Sequence, residues 1–136
     1  MLVQLVDGDA GRQVCDGPGD SVPGVARFSH DGPLRILQSL YPEGDDICHN
    51  VLVHPPSGLV GGDTLDMRVT LGPGAHGLVT TPGATRFYRS EAGLATQQVH
   101  AALEDDARLE WLPLEALAYS GCQALNLARF QLAPTA

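Results

Sequence analysis

The chain has 136 residues with 43% hydrophobic content, enough for one ordinary core and too little for a second complete domain. Sixteen acidic residues against eight basic ones give a formal charge of -8, which argues against sequence-independent nucleic-acid binding, since that rests on neutralising phosphates. All eight basic residues are arginine, so the lysine of a P-loop or of a Schiff-base site is missing.

Cys15, Cys48 and Cys122 are odd in number, far apart and never arranged as Cys-x-x-Cys; they read as reduced thiols. No apolar run approaches the ~20 residues that cross a bilayer, and Met1 to Asp7 lacks the basic flank and long apolar core of a secretory signal. The expectation is a soluble, cytoplasmic protein.

In chain order, residues 1–24 are expected to be poorly ordered. Asp7 to Gly24 is rich in Gly, Asp and Pro, with Asp16-Gly17-Pro18-Gly19-Asp20 as a turn or linker cluster. Residues 25–136 then form short apolar runs with period-two features, bounded by Gly, Pro and Asp, the pattern of successive β-strands. The predicted strands are Val25 to Ser29, Leu34 to Leu40, Cys48 to His54, Thr64 to Leu71, Ala75 to Thr81, Ala95 to Leu103, Arg108 to Leu112, Ala116 to Ser120 and Ala124 to Leu132. Sixteen Gly and ten Pro interrupt almost every window in which a helical period could establish itself. Ala95 to Leu103 has helical propensity, yet Ala95, Gln97, Val99, Ala101 and Leu103 alternate with Thr96, Gln98, His100 and Ala102, which favours a half-buried strand. Leu71-Gly72-Pro73-Gly74-Ala75-His76 and Leu103-Glu104-Asp105-Asp106-Ala107-Arg108 echo one another. Both place Leu, a three-residue turn and then Ala opening the next strand. They predict an all-β fold, a layered, β-helix-like stack of antiparallel strands joined as hairpins or as corners.

Candidate chemistry begins at the loop His54-Pro55-Pro56-Ser57-Gly58-Leu59-Val60-Gly61-Gly62-Asp63. Its prolines fix φ, and Gly58, Gly61 and Gly62 permit positive φ and close backbone approach. Asp63 can then offer a carboxylate to a metal, a water or a backbone N–H, or can merely close a turn. His49 and His54 lie on opposite faces of a strand. Cys48 and His54 share a face but stand ~20 Å apart at a strand rise of ~3.3 Å, so neither pair chelates one ion.

Thr80, Thr81 and Thr85 supply hydroxyls at a turn, followed by Arg86, Tyr88, Arg89 and Ser90. They can hold an anion, satisfy backbone groups in a bend, or, for Arg86, Tyr88 and Arg89, anchor a protein interface. Glu110 and Glu115 flank the apolar Trp111-Leu112-Pro113-Leu114; if buried, they must be hydrated, paired or metal-bound. Ser57, His54 and Asp63 invite a hydrolase reading, but Gly-x-Ser-x-Gly is missing.

Three ordered blocks carry a family resemblance: the His54 to Asp63 loop, Thr80-Thr81-Pro82-Gly83-Ala84-Thr85-Arg86-Phe87-Tyr88-Arg89-Ser90, and Leu109-Glu110-Trp111-Leu112-Pro113-Leu114-Glu115. Together with His30-Asp31-Gly32-Pro33-Leu34-Arg35 and Leu40-Tyr41-Pro42-Glu43-Gly44, they resemble the urease accessory proteins of the UreD/UreH type. Members are longer, so the resemblance implies that residues 25–136 are the N-terminal part of a UreD-like β domain; a half-length chain would expose strand edges prone to aggregation.

The resemblance also implies a non-enzymatic metallocentre chaperone that binds urease apoprotein and the UreF and UreG partners. It would conduct a transient nickel ion through a water-filled passage, with no tightly bound cofactor, nucleic acid or membrane involved. Asp63, Glu110 and Glu115 are then the nickel-passage candidates, with Asp63 and Glu115 as transient metal ligands. Thr80, Thr81 and Ser90 are supporting polar groups, and Arg86, Tyr88 and Arg89 interface candidates. Carboxylate oxygens would exchange nickel more readily than a thiolate or multi-histidine cage. A β-scaffold that bridges partners without touching metal is the alternative.

Overall fold

The computed structural model describes residues 2–7, 27–56, 58–91 and 93–136. These residues form twelve strands and no helix. Nine of the strands make three stacked rungs. The first rung is β4 (Cys48–Val53), β5 (Gly58–Leu59) and β6 (Thr64–Leu71), and the second is β7 (His76–Thr80), β8 (Thr85–Phe87) and β9 (Ala95–Leu103). The third is β10 (Arg108–Leu112), β11 (Ala116–Ala118) and β12 (Ala124–Leu132). Equivalent strands pair in parallel, so β4, β7 and β10 form one sheet, β5, β8 and β11 a second, and β6, β9 and β12 a third. Strand β1 (Leu2–Asp7) extends the third sheet beyond β6, and β2 (Arg27–His30) pairs antiparallel with β1. Strand β3 (Arg35–Leu40) pairs antiparallel with β4, with a register shift between Ile36 and Ser39.

The expected stack is therefore present, but its pairing is parallel from rung to rung; antiparallel pairing is confined to β1 with β2 and β3 with β4. The reason lies in the short turns. They send the chain around a corner into the next sheet, so strands adjacent in sequence within the stacked rungs are not paired. A parallel partner needs a long crossover, and here the rest of the rung supplies it: Thr64 pairs with Thr96, and Ala95 with Ala124.

The echoed segments are equivalent corners. Ala75 N–H donates to Gly72 O (3.1 Å) and Ala107 N–H to Glu104 O (3.1 Å). A third copy follows in Leu132 to Ala136, where Ala136 N–H donates to Ala133 O (3.1 Å). The corners also bond to one another, Glu104 N–H to Leu71 O (3.0 Å) and Ala133 N–H to Leu103 O (2.9 Å). Gly74 and Asp106 occupy the same left-handed position, at φ 69° and 60°; aspartate is one of the few residues with a side chain that tolerates it.

Period-two alternation builds the core. Leu65, Met67, Val69 and Leu71 of β6 and Ala95, Val99, Ala101 and Leu103 of β9 face inward, against Leu52, Val79, Leu59 and Phe87 from the other sheets. The strand reading of Ala95 to Leu103 holds. Asn50 is the buried polar member: its Nδ2 donates to Cys48 Sγ (3.3 Å), and its Oδ1 accepts from Ser39 Oγ (2.9 Å). Every residue of β11 and β12 is exposed.

Three strands escaped the sequence reading. Strands β5 and β8 have two and three residues, too few to show a period, and β1 precedes the Gly-rich stretch. Residues 8–24 of the expected linker, together with Cys15 and Ser57, lie outside the described residues. Cys48 and Cys122 are free thiols.

Candidate functional site

The glycines of the 54–63 loop each have a separate steric cause. A Cβ on Gly58 would lie 2.1 Å from Tyr88 Cε2, and one on Gly61 would meet Ser90 Oγ at 1.9 Å and Gly93 O at 2.5 Å. Gly62 sits at φ 90°, in the left-handed region. The loop is pinned to the next rung, with Gly62 N–H donating to Leu94 O (3.0 Å) and Thr96 N–H to Asp63 O (2.8 Å). Asp63 closes the turn on itself: its N–H donates to Val60 O (3.0 Å) and its Oδ2 accepts from Val60 N–H (2.9 Å).

Between the sheets lies a cavity of about 200 Å³ whose lining includes His54, Met67, Thr81, Arg86, Gln97 and Trp111. Apolar walls dominate it, and a space of that size holds several waters where polar groups converge. His54 arrives here because it continues the inward parity of Cys48, Asn50 and Leu52. Gln97 arrives by the same rule, between Ala95 and Val99 on β9. Burial lowers the His54 pKa, and the Asp63 carboxylate opposes that shift without reversing it. The imidazole is therefore neutral at pH 7, with a ring nitrogen able to accept a hydrogen bond or bind a metal.

Asp63, Glu110 and Glu115 do not line this cavity. On β10, Leu109 and Trp111 are half-buried while Glu110 is exposed, where its Oε1 meets His76 Nε2 at 2.8 Å across the rungs. Glu115 is exposed in the link between β10 and β11, and its carbonyl accepts from Thr85 N–H (3.1 Å). Among the described residues, no group of three or more His, Cys, Asp or Glu side chains is gathered as a metal cage. His49 Nε2 lies 3.0 Å from Glu43 Oε1, without hydrogen-bond alignment.

The threonines tie rungs together. Thr80 Oγ1 donates to Leu112 O (2.7 Å), and Leu114 N–H donates to Thr81 Oγ1 (2.9 Å). Tyr88 stacks on Tyr119 with centroids 5.4 Å apart and planes at 18°, while Arg89 Nη2 lies 3.2 Å from Glu91 Oε1. Ser90 N–H donates to Gly121 O (3.3 Å). Arg86 belongs to the cavity wall. Sequence reasoning singled out the carboxylates and passed over Gln97 and Trp111; the signal available for both was inward parity on their strands.

Fold and site together define a rung-stacked β-scaffold with a small, largely apolar interior space. The sequence profile described as "UreD urease accessory protein" matches residues 15–136. Similar proteins named "Urease accessory protein UreD" include one from Paracidovorax citrulli, 71% identical over 112 residues, which are 82% of this chain and 41% of that protein. One from Polaromonas sp. is 68% identical over 112 residues, again 82% of this chain and 41% of the relative. One from Methylibium petroleiphilum is 57% identical over 122 residues, 89% of this chain and 41% of the relative. The chain belongs to the UreD family of urease accessory proteins. It spans about 41% of the length of these relatives. No helix among the described residues is long and apolar enough to cross a membrane.

Proposed function

We propose that the protein acts as a metallocentre assembly chaperone, helping to deliver and insert nickel into urease apoprotein in a cytoplasmic complex with UreF and UreG, and that it is not itself an enzyme. The observation that carries this reading is the family match over residues 15–136. Nickel is cargo in this scheme, so weak, exchangeable ligands suit it better than a closed cage. Glu110 with His76 provides one oxygen and one nitrogen donor side by side. In this reading Asp63 and Glu115 serve as further transient oxygen ligands, and Arg86, Tyr88 and Arg89 as contacts for the partners.

A second reading, a scaffold that bridges partners without touching metal, draws support from the engagement of the Asp63 carboxylate by Val60 and of Glu110 by His76. The two are separated by co-purifying full-length protein with urease apoprotein and UreF, then measuring urease activation by nickel. Asp63→Ala, Glu110→Ala and Glu115→Ala should leave assembly in place and lower activation, with Asp63 more sensitive than Glu110. Unchanged activation in all three favours the scaffold, and failure of the parent protein to bind either partner defeats both.

A further inference from the structure

The outer face of the sheet formed by β6, β9 and β12 carries a row of cationic and cation-forming side chains that the nickel reading does not use. Register places Arg68 beside His100, and His100 beside Arg129. All three take the outward parity, because Met67 and Val69 on β6 and Val99 and Ala101 on β9 are buried. Strand spacing sets the two arginines roughly 10 Å apart at Cα, with the imidazole between them. They share a groove of about 210 Å³ with Thr70, Ala102 and Gln131.

The two arginines stand on β6 and β12, with the His100 imidazole of β9 between them, on the outer face of a sheet in a chain whose overall charge is -8. Asp66, one outward position before Arg68, meets Arg68 Nη2 at 3.0 Å. Arg129 has no carboxylate within ion-pair distance among the described residues. Two guanidiniums, an imidazole, a threonine hydroxyl and a glutamine amide present donors to one small groove. Carboxylate and phosphate both pair with guanidinium bidentately, but a carboxylate has two oxygens to answer these donors and a phosphate three or more.

The geometry points to a phosphate-binding site on this face, with Arg68 and Arg129 flanking the anion above His100 and with Thr70 and Gln131 as neutral donors. It is independent of the nickel route. The ligand is either a free phosphate ion or a phosphate ester on a larger molecule.

Isothermal titration of the full chain with inorganic phosphate, in a chloride buffer of matched ionic strength, tests the site. The expected result is saturable binding, weakened tenfold or more by Arg129→Gln and by Arg68→Gln and unchanged by Arg108→Gln, an exposed arginine outside the groove. Arg129 is exposed on its strand, so its replacement leaves the core packing alone. A parallel titration with methyl phosphate identifies the source, tighter binding of the ester indicating a group carried on a larger molecule. Non-saturable binding, equal weakening by Arg108→Gln, or equal affinity for acetate overturns the proposal.

Discussion

His54 and Asp63 stand at the two ends of one loop and act on the same proton: burial lowers the imidazole pKa, and the Asp63 carboxylate opposes the shift as the smaller influence. The folded His54 therefore binds a proton less readily than the unfolded one, whose pKa is about 6.5. Between the two values the unfolded chain holds more protons, so stability rises with pH across that window. Lowering the pH through 6.5 should progressively destabilise the fold, and His54→Gln should flatten that part of the profile. Denaturation midpoints at a series of pH values check this. Asp63→Asn should depress the His54 pKa further, read from its imidazole NMR shifts.

Gly61 and Gly58 should differ in their tolerance of alanine. At Gly61 the new Cβ meets a backbone carbonyl, that of Gly93, as well as Ser90, so the rung link itself has to shift. At Gly58 it meets the half-exposed ring of Tyr88, which can swing at the expense of its stack on Tyr119. Overpacking of this kind costs about 1–3 kcal/mol. Gly61→Ala belongs at the upper end and Gly58→Ala at the lower, as urea unfolding would show.

The paired corner positions should respond in opposite directions. Gly74→Ala forces a side chain into the left-handed region, a loss of about 1 kcal/mol, whereas Asp106→Gly relieves that conformation and should gain roughly 0.5 kcal/mol. The Asp106 N–H to Thr135 Oγ1 bond (3.0 Å) involves the backbone and survives the change. Thermal unfolding of the two variants gives both signs.

Asn50 is the polar core residue most exposed to substitution effects. Replacing it with alanine strips Ser39 Oγ of its acceptor and opens a void beside Cys48, so Asn50→Ala should lose about 2 kcal/mol or more. Much of that loss should disappear in a Ser39→Ala background, where no unsatisfied hydroxyl remains; a double-mutant cycle measures the recovery.

Strand positions were legible wherever alternation ran long enough to declare a face, as in Thr64 to Leu71 and Ala95 to Leu103. Pairing direction was not, because a short turn looks the same whether it closes a hairpin or rounds a corner between sheets. The sequential copies at Leu71 and Leu103 carried the better clue, since hairpin turns have no reason to match. The outward placement of Glu110 could be read from Leu109 and Trp111 on either side of it. The link between Arg68, His100 and Arg129 could not, for it exists only once the rung register is known.

The three matched corners have a consequence for how much the molecule can vary. Residues 72–75 and 104–107 bridge their strands with the same length, while the opposite connections, 60–63, 88–94 and 119–123, differ from rung to rung. Yet the strands on both sides stay in step. The largest differences in length thus fall along one seam, where Tyr88, Tyr119 and the Gly61 contact lie, while the connections 54–57, 81–84 and 113–115 differ by one residue, and the stacked ladders are left undisturbed. That seam is where related chains can be rewritten to suit a different neighbour without re-solving the packing of the interior.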